Sequence, residues 1–142
     1  MNSIIKLTIS IFSILALMAS SVAIAQTVYV RNLAELSWNY RVILLNGDVL
    51  PAETLSELSA QNNALNERQI VWLWQQNNKV KSNSMGTLSE LTLTQIAQQL
   101  TADNVVLIGK DGGVKMQSQN FDLTALFATI DSMPMRRQEM QQ

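Results

Sequence analysis

Four basic side chains, Lys110, Lys115, Arg136 and Arg137, stand in two short segments whose composition could bind an anion or a partner. In the first, Ile108-Gly109-Lys110-Asp111-Gly112-Gly113-Val114-Lys115, glycine amides and two lysines have the makings of a phosphate cradle. Such a cradle normally leads from a strand into a helix, whereas this segment joins two apolar runs that both read as strands, so a plain hairpin turn is the simpler reading. In the second, Met133-Pro134-Met135-Arg136-Arg137, three flexible methionines (with Met140) suit adaptable packing on the domain or on a partner. The simpler reading closes the core with the methionines and pairs Arg136 and Arg137 with Asp131 or Glu139 at the surface. Together Lys110, Asp111, Lys115, Arg136 and Arg137 form the candidate interaction surface, and Arg41 with Asp131 a candidate structural pair.

Other chemistry is sparse. The chain contains neither cysteine nor histidine, which removes thiolate nucleophiles, Ser-His and Cys-His pairs, and the thiolate and imidazole ligands of zinc and copper sites. Thiol oxidoreductase activity is excluded on that ground. Asp48, Asp111, Asp122 and Asp131 are the carboxylates an enzyme would use, yet each has a cap, turn or helix-end explanation. No pair has a spacing that demands acid–base work, and no EF-hand spacing is present. An enzyme using carboxylates, lysine or a divalent cation is the alternative to a binding module. No catalytic, cofactor or metal residue is assigned, and no cofactor is expected.

The elements that must position these residues follow from the apolar runs. Val42–Leu45, Ile70–Trp74 and Val105–Ile108 are continuously apolar, as strands covered on both faces are, while residues 114–117 alternate like an edge strand. Asp111-Gly112-Gly113 predicts an antiparallel hairpin between the last two. Asp122 reads as an N-cap with Phe121 and Leu126 as a hydrophobic staple, ahead of the stripe Leu123, Leu126, Phe127, Ile130. Pro134 should end that helix. A second helix is placed from Thr92, with Gln95 completing a capping box and Leu93, Ile96, Ala97 and Leu100 facing the core. A third follows Pro51 and stops at Asn62-Asn63, and a short helix is placed at residues 33–36. Residues 75–89 are polar and read as a long loop. Trp72 and Trp74 should share one face of their strand, and core packing is the expectation for Trp38 as well. The order β-α-β-α-β-β-α gives an α/β fold on the thioredoxin-like plan, a central mixed four-stranded sheet flanked by helices.

The N-terminus carries Lys6, a mostly apolar run from Leu7 to Met18, and Ala23-Ile24-Ala25, which together read as a secretory signal peptide over residues 1–25 cleaved between Ala25 and Gln26. Residues 26–142 then form one domain, exported and either periplasmic or secreted, with no transmembrane segment after cleavage. Losing Lys6 leaves nine basic against eleven acidic side chains, a net charge of about −2 that argues against nucleic acid as a partner.

The segments 108–115 and 130–140, with Trp38 and Arg41 ahead of the first strand, closely resemble the domain of unknown function 4174 family over residues 36–140. That resemblance implies a thioredoxin-like fold and small exported bacterial proteins or parts of animal extracellular proteins, including sushi-repeat-containing ones. The animal members are associated with matrix and adhesion roles, and no activity is established for the domain. The chain departs from the catalytic thioredoxin pattern at both critical places: Asn46-Gly47-Asp48-Val49-Leu50 stands where a Cys-x-x-Cys would lie, and Ala102-Asp103-Asn104 where a cis-proline would. The resulting expectation is a monomeric, non-redox interaction module whose partner is a protein or a small anionic ligand in the envelope or outside the cell.

Overall fold

The computed structural model describes residues 29–83 and 86–142; the signal peptide expected over residues 1–25 and its expected Ala25–Gln26 cleavage point lie outside the described residues. In chain order the elements are β1 (Tyr29–Val30), one turn of 3-10 helix (Leu33–Leu36), β2 (Arg41–Asn46), α1 (Glu53–Ala60), α2 (Asn62–Glu67), β3 (Ile70–Gln76) and β4 (Lys79–Ser82). There follow β5 (Thr87–Leu88), α3 (Glu90–Gln99), β6 (Val105–Ile108), β7 (Val114–Ser118), α4 (Leu123–Asp131) and α5 (Pro134–Glu139).

Five strands form one mixed sheet in the order β4-β3-β2-β6-β7. β2 and β3 run parallel, joined by the α1–α2 crossover, and β2–β6, β3–β4 and β6–β7 are antiparallel. A separate two-stranded parallel sheet pairs β1 with β5. Alternation along the three central strands fills both faces. Ile43, Leu45, Trp72, Trp74, Val105 and Leu107 pack with Leu58, Leu65, Leu126 and Ile130 from α1, α2 and α4. Val42, Leu44, Val71, Leu73, Val106 and Ile108 pack with Ile96 and Leu100 of α3 and with Leu36. The continuous apolar runs are therefore two interleaved stripes, each sealed by helices. The result is the mixed α/β architecture expected, consistent with a thioredoxin-like plan, with one strand more than the four read from the sequence.

That strand, β4, arises in the segment read as a loop. Asn77 and Asn78 both adopt the left-handed conformation, with φ of 49° and 58°, the backbone that a tight two-residue hairpin requires and that asparagine tolerates. Three other boundaries differ. α1 stops at Ala60, just ahead of Asn62-Asn63 as expected, but those asparagines then open a second helix, α2, which gives Leu65 a fully buried place. α3 begins near Ser89, whose hydroxyl accepts from the Thr92 amide, so Thr92 lies inside the helix and donates to the Val30 carbonyl. Pro134 ends α4 as expected, but then opens α5 from its first turn, where its missing N–H is no loss. The Asp122 cap is formed as read, its carboxylate accepting from Ala125 at 2.9 Å. Trp72 and Trp74 share one buried cluster, whereas Trp38 is 69% exposed, contrary to its core expectation.

Candidate functional site

The N-terminal end of β2 and β3 gathers the residues of both motif segments. Arg41 opens β2; Glu67, Arg68 and Gln69 link α2 to β3; Lys110 follows β6; Asp131 ends α4; and Arg136 and Glu139 lie on α5. Because β6 runs antiparallel to β2, its C-terminal loop returns to the end where Arg41 starts. The break at Pro134 turns α5 so that its arginine and glutamate reach the same point.

There they form a continuous ion-pair network. Arg41 donates to both oxygens of Glu139 at 3.1 and 3.3 Å and to the Arg68 carbonyl at 2.8 Å. Lys110 Nζ donates to Glu139 at 2.6 Å and to the Gln69 side-chain carbonyl. Arg68 grips Asp131 bidentately at 3.0 and 2.7 Å, and its guanidinium lies 4.3 Å from the centre of the Phe127 ring. Arg136 joins the two halves: it donates to Asp131 at 3.2 Å, to the Glu67 carboxylate at 2.6 Å and to the Glu67 carbonyl at 3.1 Å, and lies 3.8 Å from Glu139. Fork-shaped guanidinium donors suit this multiple bonding.

Burial pushes the Asp131 and Glu139 carboxyls up, but the opposing bonds win: Arg68 and Arg136 hold Asp131 below the usual carboxylate range, and Lys110 and Arg41 do the same for Glu139. Burial lowers the Arg136 guanidinium, and Glu67 and Asp131 outweigh it to raise it above its ordinary value. Each of these three shifts favours the charged form of its group. Four cations face three carboxylates, leaving one positive charge in excess.

The sequence-derived residues divide accordingly. Arg41 meets Glu139, not Asp131, while Asp131 takes Arg68 and Arg136; the expected Arg41–Asp131 pair is replaced by two pairs in one network. Lys110 and Arg136 are buried, so Arg136 is an internal tie and not the surface charge expected, while Arg137 is exposed. Lys115 and Asp111 form their own surface pair at 2.6 Å, and Asp111 also accepts from Gly113 at 3.0 Å within the hairpin turn. The Lys115 bond, with the Gly113 amide, lowers the Asp111 carboxyl. Glu67, Arg68 and Gln69 carry no sequence signal that marks them as part of a site. They stand at a helix end with no periodic signal of their own, and only the fold carries them to Asp131 and Lys110.

Beside the network lies a cleft of about 320 Å3. Arg41, Lys110, Lys115 and Asp111, the last two paired with each other, line its polar side, and Met133, Pro134 and Met135 supply the apolar part. Met133 also packs against the core, whereas Met135 and Met140 are exposed. Among the described residues no group of three or more acidic side chains is placed to hold a metal ion, and no described helix is long and apolar enough to cross a membrane.

The opposite end of the sheet holds the two places where thioredoxin chemistry would reside. They meet: Asn46 donates to the Asn104 side-chain carbonyl at 3.1 Å, and its backbone amide to the Asn104 carbonyl at 2.8 Å. Gly47 is sealed against Trp74, and Asp48 accepts from the Asn77 amide. Two neutral amides thus occupy the position that ligands favour in open α/β sheets, at the carboxyl ends of the parallel strands.

Neither the curated proteins nor the solved structures compared with the chain include a match. A family model described as Domain of unknown function (DUF4174) matches residues 32–139, which contain the whole network, the hairpin and the cleft beside it. With the match extending over most of its length, the chain belongs to this domain of unknown function family.

Proposed function

We propose that the chain is an exported, non-redox interaction module that uses the cleft beside the ion-pair network to take an anionic group attached to an apolar body. One observation carries this reading: a concave surface sets the excess positive charge of the network, and Lys115 in its exposed pair with Asp111, beside the apolar surface of Met133, Pro134 and Met135. A carboxylate at the lysine end and a hydrocarbon stem along the methionines satisfy both halves, whether on a free small molecule or on a protein partner. Methionine side chains adapt to such stems without a fixed shape. Lys110 and Arg136 act beneath this surface by supporting it, and the exposed contacts are Lys115, Met135 and Arg137.

Export rests on the pattern of residues 1–25, with Gln26 as the first residue of a single domain over residues 26–142, in the periplasm or outside the cell. The absence of cysteine keeps thiol exchange out of its repertoire.

Calorimetric titration with decanoate, and with decanol as the uncharged control, tests the cleft. Saturable binding of decanoate that weakens about ten-fold in Lys115→Gln and in Met135→Gln supports it. Equal responses to acid and alcohol, or unaltered binding in both variants, would remove the assignment. The mass of the protein recovered from the cell envelope tests cleavage after Ala25.

A further inference from the structure

On the other side of the Gly109–Gly113 hairpin lies a second cleft, of about 280 Å3, lined by Leu33, Ser37, Tyr40, Gln95, Gln98 and Gln99 among others. Every residue of its lining is uncharged, in contrast to the cationic cleft beside it. Gln95 is fixed by accepting from the Leu33 amide at 2.9 Å. The side chains of Gln98, Gln99 and Tyr40 take part in no hydrogen bond among the described residues, so their donors and acceptors stay available.

Trp38 sits between Ser37 and Tyr40, two of the lining residues. It is 69% exposed and holds a left-handed backbone with φ of 69°, a conformation costly for a bulky side chain. Its amide donates to the Lys110 carbonyl at 2.6 Å, which ties this backbone to the hairpin. An indole kept in water on a strained backbone contributes nothing to the core. Such residues concentrate where a ligand is handled. Tyr40 adds a second exposed ring, 39% accessible.

We infer that this cleft is a binding site for a neutral saccharide. Tyr40, which lines the cleft, and the exposed Trp38, which follows the lining residue Ser37 without itself lining the cleft, carry the negative part of the ring quadrupole on their faces, which attracts the polarised C–H groups on the apolar face of a pyranose ring. Each glutamine amide offers both a donor and an acceptor, and vicinal hydroxyls require that combination. An uncharged lining discriminates against phosphorylated, sulfated and uronic acid units, and the volume suits one or two sugar units at the end or along the edge of a chain. This site is independent of the cationic cleft and of the reading given to it.

Titration of the protein with cellotriose, chitotriose and maltotriose, read by tryptophan fluorescence and calorimetry, is the test. At least one of the three should saturate, and binding should weaken about ten-fold in Trp38→Ala and several-fold in Gln98→Ala/Gln99→Ala. Trp38→Asn keeps a residue suited to the left-handed backbone, so its loss of binding cannot be laid to misfolding. No saturation with any of the three, or unchanged affinity in the Trp38 and glutamine variants, would overturn the inference. So would binding of a polyproline peptide in place of every sugar, which would assign the aromatic surface to protein recognition.

Discussion

Arg41 and Glu139, ninety-eight positions apart in the chain, meet through two hydrogen bonds of 3.1 and 3.3 Å that join the first residue of the central strand to the C-terminal helix. Arg41 is 1% exposed, and a guanidinium so deeply placed without its carboxylate is an uncompensated buried charge. Glu139→Ala should therefore cost about 3 kcal/mol in urea unfolding. Glu67→Ala, which removes a carboxylate 65% exposed, should cost less than about 1 kcal/mol.

The adjacent arginines of α5 should behave as opposites. Arg136 reaches Asp131, Glu67 and the Glu67 carbonyl from a buried position, so Arg136→Ala should lower stability by about 3 kcal/mol. Arg137 is exposed, and Arg137→Ala should stay within about 0.5 kcal/mol of the parent. Thermal melts of the two variants side by side make the comparison.

Acid should loosen the network in a defined direction. Asp131 and Glu139 titrate below their ordinary values of 3.8 and 4.5 in the folded protein, so the unfolded chain takes up protons first as pH falls. Their stabilising contribution is complete above about pH 5 and drains as pH drops through the ordinary values towards the lowered ones. Urea midpoints should stay level down to about pH 5 and then decline, with a shallower decline in Glu139→Gln. A midpoint that rises on acidification would contradict the charged network.

Gly47 is required by proximity. A Cβ there would lie 2.2 Å from Trp74 Nε1 and 2.9 Å from the Gln75 carbonyl oxygen. Gly47→Ala should cost about 2 kcal/mol or more and perturb the near-ultraviolet circular dichroism of the buried tryptophan.

Trp38 should show the reverse trade. Replacing it with asparagine relieves the left-handed backbone of a bulky residue and removes an exposed ring, so Trp38→Asn should raise stability by up to about 1 kcal/mol while losing saccharide binding. Melting curves with and without sugar report both effects.

The four strands β2, β3, β6 and β7 and the helices α1, α3 and α4 were legible because period and length speak locally, whereas the two-residue strands β1 and β5 are too short to carry either signal. Val105–Ile108 and the Asp122 cap needed no knowledge of their neighbours. β4 was missed because its only apolar residue is Val80, although Asn77-Asn78 followed by alternation over Lys79–Ser82 was a usable hairpin signal. The site was harder. Arg41 is a buried, ion-paired cation, and its choice between Asp131 and Glu139 depends on how far the chain turns at Pro134, because helical periodicity does not extend across that break. Trp38 gave no warning of its exposure, since a tryptophan's identity says nothing about a positive φ imposed by the Lys110 carbonyl.

The clasp between Arg41 and Glu139 also sets the order in which the molecule can become complete. During synthesis β2 emerges long before α5, and Arg41 has no carboxylate partner among the described residues until Glu139 arrives. Sheet and helices can gather earlier, but the charged end of the sheet stays unsealed. A chain cut short before α5 would carry stranded positive charge at its centre and would be distinguishable, by instability alone, from a finished one.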